Sequence, residues 1–408
     1  MLVKATTTIG TGIQYDLGTD NDLVVGTNVI VESTDTNAII GAGNGQTVTV
    51  FGIVQGYDDA INLSGSDATV IIEEGAFVAS QIDDGVSLKG INATLINRGT
   101  ITANYGVYLD ATGGTANITN FGTLVAIADG IRIDSATQSV IQNFGLISSI
   151  EDHSFHGNIL QDLVINRGKM IGDIFLLAGD DLYDGNGGRL RGGVFGGDGN
   201  DTFRPGVLAE VMEGGFDVDT LDFRAGGGVS VDLNNVIANT GFAQGDVYTL
   251  MERVFGSQAG ADRLVGDSVA NGLYGFGGTD QLTGNEGNDS LYGGSGKDTL
   301  TGGIDDDQFY FSALTGLGDV ITDFGVGADL LYIKGSAFGG GLEAGMLDAA
   351  QFKVGFNNKA GDRNDRFIFN AGTDTLWFDA DGTGKKAAVL LATFSNGVTL
   401  DAGDIFIF

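Results

Sequence analysis

Between residues 257 and 310 an aspartate or asparagine returns at every ninth position: Asp262, Asn271, Asp280, Asp289, Asp298 and Asp307. Two residues after each stands a large apolar side chain: Leu264, Leu273, Leu282, Leu291, Leu300 and Phe309. The segment divides without gaps into six nonapeptides, "SQAGADRLV", "GDSVANGLY", "GFGGTDQLT", "GNEGNDSLY", "GGSGKDTLT" and "GGIDDDQFY". Carboxylates at such a spacing could hold metal ions. If two nonapeptides make one coil, Asp262, Asp280 and Asp298 stack on one edge and Asn271, Asp289 and Asp307 on the other. Strands of adjacent coils lie about 4.8 Å apart, and carboxylates that close repel one another unless a cation sits between them. Calcium takes six to eight oxygens in flexible geometry, whereas magnesium demands a tight octahedron and zinc favours nitrogen or sulfur. The spacing therefore predicts several calcium ions, held by turn carbonyls and one aspartate from each of two stacked turns. Neutral Asn271 predicts the weakest site. Asp305 stands where the pattern has glycine, which leaves the geometry of the last turn open.

The same beat recurs upstream. "MIGDIFLLAGDDLYDG" from Met170 aligns with "LRGGVFGGDGNDTFRP" from Leu190, which makes Asp181 and Asp201 equivalent at a spacing of 20 residues. "GGFDVDTLDF" (Gly214–Phe223) places Asp219 in the same register. These three complete the candidate metal ligands.

The elements that must position these residues are short. The first six residues of each nonapeptide form a turn, where glycine tolerates left-handed backbone. The last three form a strand whose apolar residue points inward. A second repeat precedes the first: Asn97, Asn120, Asn143 and Asn166 follow one another at 23 residues in "NRGTI", "NFGTL", "NFGLI" and "NRGKM", with weaker copies at "VFGIV" and "EEGAF". Stretches such as "YGVYLD" and "DGIRID" alternate with period two, the pattern of a strand with one buried face. A unit this short buries its face only by stacking on its neighbours. Residues 46–170 are thus expected to be a parallel β-solenoid, with the asparagines in a hydrogen-bonded ladder and Leu95, Ile118, Val140 and Val164 in an inward column.

Composition agrees with a turn-rich all-β chain: 408 residues, 70 glycines, one proline, 42% apolar. The formal net charge of −33 argues against nucleic acid and against an anionic membrane surface. The absence of cysteine excludes disulfides and zinc–thiolate sites. No apolar run approaches a membrane-spanning length, and "MLVKATTTIGTGIQYDLG" lacks the apolar core of an ordinary secretory leader.

On these nonapeptides, residues 196–408 resemble bacterial RTX proteins exported by type I secretion. "GGFDVDTLDF", "VSVDL" and "MERVFGSQAGADRLVG" look like the module that precedes such rolls, and "GDVITDFGVGADLL" (Gly318–Leu331) like the segment that closes them. The terminal "DAGDIFIF", with Asp401, Asp404 and Ile405–Phe408, is similar to the family's uncleaved secretion signal. The resemblance implies calcium-dependent folding outside the cell and a type I exporter as partner. It does not set the activity, because such rolls are appended to proteins of many functions.

The expected fold is all-β: a parallel β-helix or solenoid continuing into an RTX parallel β-roll with a β-rich C-terminal cap. Its expected segments are 1–45 (cap or assembly segment), 46–170 (solenoid), 171–256 (transitional solenoid and connecting module), 257–312 (nonapeptide roll) and 313–408 (C-terminal cap with secretion signal). No His-Glu-x-x-His, Gly-x-Ser-x-Gly or Asp-Pro-His-Asp string is present. The only histidines, His153 and His156, could form a site with Glu151 and Asp152, or sit in a loop bulging from one coil. Asp379 and Asp381 in "FDADGTG" read as a turn. The function expected is that of a secreted, calcium-dependent structural protein of the bacterial cell surface, a surface-layer subunit or filament that self-associates. The alternatives are a polysaccharide lyase or epimerase with a groove on residues 46–170, and an adhesin binding surface polysaccharide.

Overall fold

A computed structural model describes residues 1–408 apart from residues 112 and 315–317, the latter inside the expected C-terminal cap. The chain divides into two compact units, one of residues 1–219 with 246–250, the other of residues 220–245 with 251–408. Both are all-β parallel solenoids. The division cuts through "GGFDVDTLDF", leaving Asp219 in the first unit and Thr220 in the second.

In the first unit each coil contributes three short strands, as in Thr94–Asn97, Thr100–Ala103 and Tyr105–Leu109. Each pairs in parallel with its counterpart in the next coil: Thr94 with Asn117, Thr100 with Thr123, Val107 with Ile131. Alternation sends every second side chain inward, giving three buried columns such as Ile101, Leu124, Ile147 and Met170, all with no exposed surface. The column beside the asparagines is Leu95, Ile118, Ile141 and Val164. Val140, expected there, instead pairs with Asn117 and Leu163 on the outward face. The inward residue stands two places before its asparagine, and Val140 stands three before Asn143. Parity along the strand, not hydrophobicity, selects between adjacent Val140 and Ile141.

The asparagine ladder forms as expected. Asn97 donates to Asn120, Asn120 to Asn143 and Asn143 to Asn166 over 2.8–2.9 Å, and all four are fully buried. Residues 1–45, read from sequence as a separate cap or assembly segment, already run in solenoid coils: Leu2–Lys4 pairs with Asp22–Val25, which pairs with Thr47–Val50. "NDLVVG" alternates like the later strands, but its coils lack the asparagine that marks the repeat.

In the second unit two parallel strand stacks face each other across a column of apolar residues. One stack carries Leu264, Leu282, Leu300 and Ile321 inward; the other carries Val254, Leu273, Leu291, Phe309, Leu331 and Ile405. Residues 18 apart are in register, so two nonapeptides make one coil. On the outside, Phe255, Tyr274, Tyr292, Tyr310, Tyr332 and Phe406 form an aromatic ladder with neighbouring centroids 4.0–5.0 Å apart. The β-rich C-terminal part adds Val389–Phe394 in parallel to Asp319–Ile321, and then the antiparallel strands Thr375–Phe378 and Phe367–Asn370. Ile405–Ile407, from the terminal stretch read as a secretion signal, is itself a strand paired with Leu331–Ile333. No helix among the described residues is long and apolar enough to cross a membrane.

Candidate metal centre

Each nonapeptide delivers its aspartate at the end of a turn, just before the strand, so the strand register stacks the carboxyl groups. One oxygen of each carboxylate is used by the fold. Oδ1 of Asp280 accepts the backbone N–H of Asp262 at 2.8 Å, and Oδ1 of Asp298 that of Asp280 at 2.9 Å. On the other edge Asp289 accepts from Asn271 and Asp307 from Asp289. The second oxygen, Oδ2, of Asp280, Asp289, Asp298 and Asp307 is buried without a hydrogen-bond partner among the described residues. An unsatisfied buried carboxylate oxygen is costly. Two such pairs, one on each edge and each at the same repeat position, are sets of donors arranged for a hard cation, and the oxygen-only chemistry fits calcium.

The first-position glycines belong to the same arrangement. A Cβ on Gly284 would collide with Oδ2 of Asp289 and the carbonyl oxygen of Gly302, and one on Gly275 with Oδ2 of Asp280 and the carbonyl of Gly293. Glycine there lets carboxylate and carbonyl oxygens of successive coils converge. Gly284→Ala is therefore expected to weaken calcium binding at least tenfold. Gly227→Ala, whose Cβ would meet open space, should leave it unchanged; calorimetric titration of both variants checks this. The last turn keeps its geometry despite Asp305, which takes φ +80° where Gly278, Gly287 and Gly296 are also positive. Aspartate can stand there because it tolerates left-handed backbone better than most residues.

The first unit repeats the arrangement. Asp181 accepts from Asp162, Asp201 from Asp181 and Asp219 from Asp201, at 2.7–2.8 Å. Oδ2 of Asp181 and of Asp201 is buried without a partner among the described residues. Two of the nine candidates differ. Ser257 replaces the first-position glycine before Asp262, and its N–H at 2.7 Å and hydroxyl at 3.1 Å satisfy the Asp262 Oδ2. Asn271 accepts from Asp267 and donates to Met251. Asp262 and Asn271 thus share the stack, but their oxygens are already engaged by the chain.

Sequence reasoning missed three members of these columns. Asp319 accepts from Asp298, Asp329 accepts from Asp307, and Asp162 precedes Asp181. Each stands two residues before an inward apolar residue or a strand, in "DVI", "DLL" and "DLV". That triplet was a usable signal, and "FGVGADLLY" (324–332) even carries Gly325 and Gly327 in register before Asp329; it was hidden because it does not follow the sixth nonapeptide without a gap.

Burial, and then neighbouring carboxylates, push the carboxyls of Asp280, Asp289, Asp307 and Asp319 up to about 7 and that of Asp181 to about 8; burial also raises Asp298. Their ordinary value is 3.8. A group raised on folding favours the folded state below its unfolded pKa, and that contribution disappears as pH climbs through the folded value. In chelator, the strand content of the repeat coils is expected to survive at pH 4 and to be lost between about pH 4 and pH 8, by circular dichroism. Calcium entering near pH 7 should release protons, measured as a dependence of binding heat on buffer ionisation enthalpy.

The histidines lie in the strand Leu146–Asn158, not in a loop; the strand has register irregularities around His153. His153 Nδ1 lies 2.9 Å from Asp129 and 2.8 Å from Asp152, while Glu151 is exposed. Asp381 closes the turn read from sequence, accepting from the N–H groups of Lys385 and Lys386.

No curated protein matches the chain. Residues 274–309 match the family model of the RTX calcium-binding nonapeptide repeat in four copies, beginning after the two positions whose oxygens the chain already satisfies. The segment carrying Asp280, Asp289, Asp298 and Asp307 is an RTX calcium-binding β-roll.

Proposed function

We propose that the protein is exported, folds its repeat coils on meeting calcium outside the cell, and serves there as a structural subunit of the cell surface that assembles with copies of itself. The observation that carries this reading is the register of unpartnered buried carboxylate oxygens with the calcium-type repeats. In a calcium-poor cytosol these columns repel and the repeat coils stay extended, the state in which a type I exporter passes them. Extracellular calcium modules bind at roughly 10⁻⁴–10⁻³ M, a range met outside the cell. Repetitive, parallel coils with few inserted loops suit a building block, in a surface layer or a filament.

Negative-stain electron microscopy and light scattering of the full chain, with calcium and with chelator, test the assembly. Filaments or arrays that appear with calcium and disperse with chelator are expected. Monodisperse monomers throughout a calcium series would remove the assembly role while leaving calcium binding intact.

A further inference from the structure

Five tetrads of the first unit stack directly on one another: "DAIN" (59–62), "DGVS" (84–87), "YGVY" (105–108), "DGIR" (129–132) and "HSFH" (153–156). Their third residues are inward and fully buried, and their fourth residues are in register from coil to coil on the opposite side of the strand, half-buried except for Ser87, which is fully covered. The asparagine position repeats one polar residue through four coils. Here the outward position changes at every coil, through Asn62, Ser87, Tyr108, Arg132 and His156, so no ladder of like groups can form.

The side chains are held in place by one another. Arg132 pairs with Asp134 at 2.6 Å and Asp129 at 3.2 Å, and its guanidinium lies 5.6 Å from the centroid of Tyr105. The Tyr108 hydroxyl donates to Asp134 at 3.0 Å. His153 and His156 stack at 5.3 Å, and Nδ1 of His156 is buried without a hydrogen-bond partner among the described residues. A cleft of about 290 Å³ opens between these groups, lined by Asp59, Asp84, Tyr105, Tyr108, Arg132 and Asp134 among others.

We propose that this face of the first unit binds an uncharged polysaccharide, laid along the coils at about one sugar ring per coil. The coil rise of about 4.8 Å is close to the length of one pyranose unit, so equivalent sugars would meet successive tetrads. Carboxylates accept hydroxyl protons, Arg132 and the histidines donate to hydroxyl and ring oxygens, and tyrosine rings offer apolar faces. In the cleft Asp59, Asp83, Asp84 and Asp134 outnumber Lys89 and Arg132, which disfavours a polyanion. The proposal is independent of the assembly reading.

The test is affinity electrophoresis of the full chain with calcium in gels containing β-glucan, xylan, galactomannan or alginate. Retention by at least one of the three neutral polymers is expected, weakened at least tenfold in Arg132→Ala and Tyr105→Ala and unchanged in Gly227→Ala. Arg132→Lys and a thermal melt of each variant separate lost contact from lost fold: a variant that melts normally yet is no longer retained supports the site. No retention by the three neutral polymers, retention by alginate alone, or retention indifferent to both alanine variants would overturn it.

Discussion

Chelating calcium at pH 7.5 is expected to unfold the nonapeptide coils of the full chain and to leave the asparagine-ladder coils folded. The first half of that expectation follows from the four orphaned oxygens of Asp280, Asp289, Asp298 and Asp307. Near pH 7 and above, these carboxyls, raised by burial, must ionise without a counter-charge. The glycine-rich turns also lose much conformational entropy on folding. A ligand at ten times its dissociation constant stabilises by roughly 1.4 kcal/mol per site. Several such sites in one cooperative unit add up to a sizeable share of the whole stability of many domains, which lies at about 5–15 kcal/mol. The loss on chelation should be near complete and steeply cooperative. Far-UV circular dichroism against free calcium should show a sigmoidal recovery of strand signal, with heat taken up or released in parallel by calorimetry. Asp289→Asn should move the midpoint to about tenfold higher calcium. A spectrum unchanged by EGTA at pH 7.5, with no heat of ion uptake, would refute the account.

Asn120→Ala is expected to destabilise the first unit by about 2–4 kcal/mol, equally with and without calcium. Asn120 is fully buried, accepts from Asn97, and donates to Asn143 Oδ1 at 2.9 Å and to the Leu146 carbonyl at 3.0 Å. Alanine removes these bonds, breaks the ladder between Asn97 and Asn143, and leaves a void in the stack. Asn120→Asp should be worse, because it buries a charge between neutral amides. Urea unfolding followed by circular dichroism measures the loss, and the calcium midpoint of the repeat coils serves as the internal control. A loss under about 0.5 kcal/mol would mean that the ladder is decorative.

Much of both centres was legible because a solenoid writes its geometry as a period. The nine-residue beat set the pairing of Leu264 with Leu282 and the stacking of Asp280 on Asp298. The 23-residue beat set the asparagine ladder. Misreadings came where the beat falters. Val140 and Ile141 are both apolar, and only strand parity sends one inward. Residues 1–45 pair like later coils without the marker asparagine. Asp319 and Asp329 continue the carboxylate columns at spacings of 21 and 22 residues, where the nine-residue beat is interrupted.

The sequence by itself determined that carboxylates would stack and that calcium would be the ion to bridge them, since both follow from residue type and spacing. Only the tertiary structure decided which oxygens are left without partners. Asp262 and Asp280 look alike in the repeat, yet a serine hydroxyl and its N–H reach the first, and no group among the described residues bonds Oδ2 of the second. It also decided that tetrads at irregular spacings share one face. Hydrogen-bond satisfaction and side-by-side placement are properties of neighbouring coils, and coils of unequal length conceal their neighbours from any fixed period.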